Sequence, residues 1–255
     1  VEGHASIFDG ATQLFQITDD PEAAAVTPAG TSIIATMKPA LAALIEMMTE
    51  TQRAMPKGRT LPPPPKAADP IPAEFLLHSL SVAMPEDAVL VEEAPSHRPT
   101  MHKFMPMRGQ DSFYTMASGG LGHSLPAAVG IAMARPNIRT VCLVGDGSAM
   151  YSIQALWTAA QRKLPLTVVV INNEGYGAMR AFSQVMQVRN VPGLDMPGID
   201  FAKIAEGMGC MALRVTKSSE LASALQRGLT HQGTSVIEVI VDSAVTVLYA
   251  RKTPT

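Results

Sequence analysis

The sequence predicts an α/β fold, a mostly parallel sheet with helices on both faces. Three observations carry that expectation. Short apolar runs of strand length recur at 140–144, 166–171, 211–215 and 235–241. Segments with apolar residues at helical spacing separate them, so the strands are joined by crossovers rather than hairpins and must run parallel. The runs at 140–144 and 166–171 are apolar almost throughout rather than alternating, the pattern of strands buried on both faces.

In chain order, Leu14-Phe15-Gln16-Ile17-Thr18 reads as a strand. Asp20-Pro21-Glu22 then has the residue types of a helix start: an N-cap, proline at the first helical position and an acid in the first turn. A second apolar run at 32–35 and a helix at 37–48 complete a β-α-β-α piece. It reads as the tail of a Rossmann-like α/β domain over residues 1–52, because its first strand needs sheet neighbours that the preceding residues do not supply. Residues 53–72 read as a linker, since Pro62-Pro63-Pro64-Pro65 favours extended polyproline II and breaks any helix. Residues 73–255 form the second domain. Its expected helices are 73–84, 121–134, 151–162, 177–188, 200–207 and 220–229, and its strands are the four runs above with a first strand at 88–91.

Composition removes several function classes. The chain has 255 residues, is 47% hydrophobic and carries a net charge of −2 without a basic run. That is enough apolar material for a real core and gives no electrostatic footprint for nucleic acid or a membrane surface. No apolar stretch is long enough to span a bilayer, and the first residues do not read as a signal sequence. The two cysteines, Cys142 and Cys210, lie in or beside apolar segments. Buried free thiols, and with them the cytoplasm, are therefore expected.

Chemistry concentrates at the ends of two strands. Val141-Cys142-Leu143-Val144 runs into Gly145-Asp146-Gly147-Ser148, and Val168-Val169-Val170-Ile171 runs into Asn172-Asn173-Glu174-Gly175. One helix separates them, so a right-handed crossover brings both carboxyl ends to the same sheet edge, where open α/β sheets bind ligands. A carboxylate, an amide oxygen and a loop carbonyl suit a hard cation such as Mg²⁺ or Ca²⁺, with phosphate oxygens completing the shell. Gly147 and Ser148 open a helix whose free N–H groups suit a phosphate. A dinucleotide loop at Gly145-x-Gly147 is the rival reading, although Met150 stands where a third glycine belongs and Asp146 would repel a pyrophosphate unless a cation lay between. A purely structural turn capped by Asp146 is the other.

Gly-Asp-Gly-Ser followed by Asn-Asn after one strand-helix-strand unit resembles the thiamine diphosphate (ThDP) signature. Ala117-Ser118-Gly119-Gly120-Leu121-Gly122, Ala155-Leu156-Trp157-Thr158-Ala159-Ala160 and the stretch from Asn190 to Phe201 resemble the benzoylformate decarboxylases within that family. The resemblance implies the ThDP-binding fold for the second domain, and ThDP with Mg²⁺ (or Ca²⁺) as cofactors. It also implies non-oxidative decarboxylation of a 2-oxo acid to an aldehyde, with the cofactor supplying the reactive carbon. Asp146, Asn173 and the Gly175 carbonyl are then metal ligands. Ser96, Gly147, Ser148, Tyr176 and Gly177 face the diphosphate, Leu121 holds the cofactor bent, and Gly119 offers its carbonyl to the aminopyrimidine. Ala178, Met179 and Phe182 line the substrate pocket. The activating glutamate is expected in a pyrimidine-binding domain upstream of Val1 or on another chain, in a homodimer or homotetramer. No catalytic residue is assigned within the chain, which alone is expected to be inactive. A carboligase similar to acetolactate synthase and a non-catalytic subunit of the same fold remain alternatives.

Three departures stand out. The Arg-Leu-His-Pro of the benzoylformate decarboxylases corresponds to Asp69-Pro70-Ile71-Pro72 here, their Glu-Ser-Thr-Ser to Glu93-Ala94-Pro95-Ser96, and their Tyr-Phe to Tyr114-Thr115. Substrate choice and proton handling are where these differences would act. Of the nearby histidines, His97, His102 and His123 are expected at the surface or in packing.

Overall fold

The computed structural model describes residues 13–244 except 28, 50–53, 56, 59 and 118. Ser118 and part of the expected linker therefore lie outside the described residues. Contacts divide the chain into two compact units, Val1–Arg59 and Thr60–Thr255.

In the first unit, β1 (Phe15–Thr18) and β2 (Thr31–Ile34) pair in parallel, with Phe15 opposite Thr31. Between them lies α1 (Pro21–Ala25), whose N-cap Asp20 accepts the Glu22 N–H at 2.9 Å, as the Asp-Pro-Glu pattern predicts. After β2 comes α2 (Met37–Met47).

The second unit begins with residues 60–68, which carry no helix or strand. Then follow α3 (Ala73–Ala83), β3 (Val89–Glu93), α4 (Arg98–Phe104), β4 (Phe113–Thr115), α5 (Ser124–Ala134) and β5 (Thr140–Gly145). The chain continues through α6 (Asp146–Ala149), α7 (Ala155–Gln161), β6 (Leu166–Asn172), α8 (Gly177–Val185) and α9 (Phe201–Gly207). It closes with β7 (Met211–Val215), α10 (Ser218–Thr230) and β8 (Ser235–Ile240). The six strands form one all-parallel sheet in the order β4-β3-β5-β6-β8-β7.

Alternation along the central strands builds a core on each face. Leu143, Val169, Ile171 and Ile237 pack with Leu76, Leu77 and Leu80 of α3 and Leu221 and Leu225 of α10. Cys142, Val144, Val168 and Val170 pack on the opposite face with Leu125, Leu156 and Phe201. Both cysteines are buried free thiols, as expected, and burial pushes the Cys210 thiol up to about 11.

The strand order places the ligand crevice. From β3 the chain moves outward to β4 on one side, and from the neighbouring β5 it moves to β6 on the other, so the connections that leave β3 and β5 run in opposite directions. The loops after β3 and β5 diverge there and open a crevice at the carboxyl edge of the sheet. Neither α4 nor β4 is expected from the sequence. β4 has only three residues, and α4 begins without a side-chain cap and with proline in its first turn.

Three helix boundaries differ from expectation by three residues or more. The helix expected from Leu121 starts at Ser124, because the buried Glu93 carboxylate accepts the N–H groups of Gly122 (2.6 Å) and Ser124 (2.7 Å) and fixes residues 121–122 as a turn. Residues 151–154 are turns ahead of α7, and α8 ends at Val185 rather than Val188. Asp200 caps α9 as expected, accepting the Lys203 N–H at 2.9 Å.

Candidate functional site

β5 delivers Asp146 to the carboxyl edge of the sheet at the first residue of α6, where its side chain is 3% exposed. Oδ1 accepts the Gly147 N–H and Oδ2 the Gly175 N–H, both at 2.8 Å. Burial nonetheless raises its pKa to about 6, against the pull of those two N–H groups and of the Arg180 charge. The carboxylate is thus under-compensated in the protein alone.

β6 ends next door. One terminal atom of the Asn173 amide lies 3.3 Å from Asp146 Oδ1 and 2.8 Å from the Gly175 carbonyl oxygen. As nitrogen, that atom donates to both. As oxygen, it completes three oxygens facing one point, which is tolerable only around a cation. Among the described residues no group of three or more His, Cys, Asp or Glu side chains could hold a metal. A cation here would rest on one carboxylate, one amide and one carbonyl, a donor set that suits Mg²⁺ sharing its shell with phosphate oxygens.

Two glycines bring backbone and side chains closer than any other residue allows. A Cβ at Gly147 would meet the Tyr176 ring at 2.5 Å, and one at Gly177 would meet Asn173 Nδ2 at 2.6 Å and Ser96 Oγ at 2.9 Å. Ser96 Oγ accepts the Ala178 N–H at 2.8 Å, which ties the loop after β3 to the first turn of α8 and leaves the serine O–H to donate. Arg180 pins the loop after β6 from behind, donating to the carbonyls of Asn173 (3.2 Å) and Glu174 (2.7 Å) and to Asp195 (2.6 Å).

These segments enclose a cavity of about 260 Å³. Ser96, Gly119, Leu121, Asp146, Gly147 and Ser148 line it, as do Gly175, Tyr176, Ala178 and Met179. Asn173 and Gly177 stand directly behind that lining, against Ser96. Phe182 does not reach the cavity; it lies one turn along α8 from Ala178 and is 46% exposed. The sequence reading did not place Ala94, Pro95 and Gly145 at the site, nor His97, which was expected at the surface or in packing and is a buried wall of the cavity. Its position after the β3 apolar run, level with the other strand-end loops, was the available signal. Ile71, at the position of the histidine in Arg-Leu-His-Pro, is fully buried in the core beside α3 and lines no part of the cavity. That departure therefore removes no group from the cavity wall.

Residues 94–239 match the family described as thiamine pyrophosphate enzyme, C-terminal TPP binding domain. The chain is 38% identical over 230 residues to a benzoylformate decarboxylase of Pseudomonas aeruginosa, covering 89% of this chain and 43% of that protein. It is 38% identical over 170 residues to a putative acetolactate synthase large subunit of Mycobacterium tuberculosis, covering 64% of this chain and 33% of that one. Its fold superposes on the crystal structure of a benzoylformate decarboxylase from Polynucleobacter necessarius with a TM-score of 0.89 at 34% identity, covering 96% of this chain and 47% of that one. The chain spans less than half the length of these relatives. With the sheet-edge cavity, the glycine cradle and the Asp146–Asn173–Gly175 oxygens all inside the matched region, the chain belongs to the thiamine pyrophosphate enzymes and includes their C-terminal cofactor-binding domain.

Proposed function

We propose that this chain forms the metal–diphosphate side of a ThDP site that decarboxylates an apolar 2-oxo acid, aromatic or branched, to an aldehyde and CO₂. The observation that carries the reading is the convergence of Asp146, Asn173 and the Gly175 carbonyl beside backbone left bare by Gly147 and Gly177. In this reading those three hold Mg²⁺. The Ser96 hydroxyl and the Ser148 N–H meet the diphosphate, Gly147, Tyr176 and Gly177 lie against it, and the first turn of the nine-residue α8 adds the positive end of its dipole. ThDP, when bound, supplies the electron sink for loss of CO₂. The pyrimidine side of the site, with its activating glutamate, comes from a further domain or a second copy of the protein.

Leu121 and Gly119 sit on the wall that would meet the rings of the cofactor. Leu121→Ala is expected to leave Mg²⁺-dependent ThDP affinity within a few-fold while kcat falls by about 10- to 100-fold, because an apolar wedge sets geometry rather than charge. Titration calorimetry and single-turnover kinetics on the full-length protein separate the two. Normal turnover in the variant would remove Leu121 from the mechanism.

Met179 lines the cavity and Phe182 follows it by three residues on α8, so the approach from that side is apolar. Neither side chain pairs with a second carboxylate, and burying one unpaired costs several kcal/mol. Benzoylformate is therefore expected to exceed 2-oxoglutarate in kcat/KM by about 100-fold or more, with pyruvate between. A preference for the dicarboxylic acid would overturn the substrate reading. The similarity to a putative acetolactate synthase supports a carboligase as the second reading. Pyruvate turned over to acetolactate rather than acetaldehyde would decide for it.

A further inference from the structure

One buried carboxylate lines no part of the cavity. Glu238 of β8 is fully buried, and its neighbours Ile237 and Val239 belong to the core against α3 and α10. Glu238 itself faces the opposite core, on the side of Val236. The strand register sets it between Val170 of β6 and Arg214 of β7. A carboxylate in such a place is costly unless its oxygens are met. Oε1 accepts a side-chain N–H of Asn172 at 2.7 Å. Oε2 accepts the Ala202 N–H at 3.3 Å and lies 3.7 Å from the Arg214 guanidinium.

Asn172 carries this contact to the loop after β6. It ends that strand two residues beyond Val170, on the face that Glu238 shares. Its Nδ2 serves Glu238, while its Oδ1 accepts the Glu174 N–H at 3.0 Å. One end of the amide thus meets an acceptor and the other a donor, so only one orientation satisfies both. The amide of Asn173 is not fixed in that way. Glu174 has φ +55, a left-handed conformation that a glutamate adopts at a cost and keeps only where its surroundings hold it. Its N–H is held by Asn172, and its carbonyl by the Met196 N–H at 2.9 Å and Arg180 at 2.7 Å. The turn at Glu174 sets where Asn173 and the Gly175 carbonyl lie relative to Asp146.

We propose that Glu238 is a positioning residue for the metal loop. By holding the Asn172 amide it fixes the turn at Glu174, and with it the Asn173 and Gly175 oxygens beside Asp146. It touches neither metal nor cofactor, and the role rests on the ThDP reading of the site. What the contact requires is an acceptor at the right reach. Arg214 does not depend on Glu238, since Asp200 stands 3.2 Å from the same guanidinium nitrogen.

The test is the Kd for Mg²⁺ of the full-length protein at saturating ThDP, read by calorimetry. Glu238→Gln, whose amide oxygen still reaches Asn172, is expected to stay within about threefold of the native protein. Glu238→Asp keeps a carboxylate but stops one methylene short of Asn172. It is expected to raise the Kd by about tenfold or more, as for loss of one hydrogen bond to a charged group. Asn172→Ala should cause a loss of similar size, and adding Glu238→Asp to it should change the Kd by less than about twofold, because the two residues act in series. Native affinity in Glu238→Asp or in Asn172→Ala would overturn the assignment and leave the metal site standing. So would equal losses in Glu238→Gln and Glu238→Asp, or losses that multiply in the double variant. A native protein without Mg²⁺-dependent ThDP binding would remove the ThDP reading, and this role with it.

Discussion

Asp146→Ala is expected to abolish Mg²⁺-dependent binding of ThDP, a loss of at least about 100-fold. The carboxylate is the only formal charge among the three oxygens that face one another, and without it an amide and a carbonyl must hold a strongly hydrated dication alone. The variant also frees two N–H donors, those of Gly147 and Gly175, that Asp146 now satisfies. Asp146→Asn separates the effects, since it keeps an acceptor and removes the charge; it too should lose the metal while keeping the fold. Calorimetry with ThDP in Mg²⁺ or EDTA reads the first effect and thermal unfolding the second. The same carboxylate gives metal affinity a pH dependence. Burial raises it to about 6, so below that pH the metal must displace a proton and affinity falls by up to about tenfold per pH unit; above it, affinity is level. Native affinity in Asp146→Ala would place the metal elsewhere.

Gly175→Ala is expected to be nearly as damaging, for steric reasons. Gly175 has φ +153, and a Cβ there would drive into the Leu194 carbonyl oxygen and the Arg180 guanidinium. Neither can yield cheaply. Leu194 O accepts the Tyr176 N–H at 2.9 Å, and the Met196 N–H donates to Glu174 O at 2.9 Å, so the two loops are stitched on both sides of Gly175. Arg180 is held by Asp195 and two carbonyls. An alanine must part these loops and turn the Gly175 carbonyl away from Asp146. Stability should fall by about 2–4 kcal/mol and Mg²⁺–ThDP binding by more than tenfold. Gly193→Ala is the control: φ is +74 there, but no atom lies within 4 Å of the added Cβ, so only about 1 kcal/mol should be lost and binding kept. Equal effects in the two variants would mean that backbone strain, not the loop contact, matters.

The site was legible in the sequence where a long period met unusual strand ends. The four-residue apolar runs leading to Asp146 and Asn173 marked two strands, and one intervening helix set their parallel sense. The crevice itself was not legible, because it depends on β4 lying outside β3. Phe113–Thr115 is three residues long and follows a polar stretch, too little for a periodic signal. The start of α5 was hidden for a tertiary reason: Glu93, 29 residues upstream, takes the N–H groups of Gly122 and Ser124 and presents Leu121 on a turn. His97 was left at the surface or in packing, since its sequence neighbours do not show that the loop after β3 lines the cavity. Phe182 lies outside the lining of the cavity, and spacing along α8 gives the face but not how far it reaches.

The most direct measurement is a crystal structure of the full-length protein grown with ThDP and Ca²⁺. The expected result is a cation at about 2.3–2.6 Å from an Asp146 carboxylate oxygen, the Asn173 amide oxygen and the Gly175 carbonyl, with two diphosphate oxygens completing its shell. Density for the diphosphate at any other strand end, or a cation that touches none of these three residues, would contradict it.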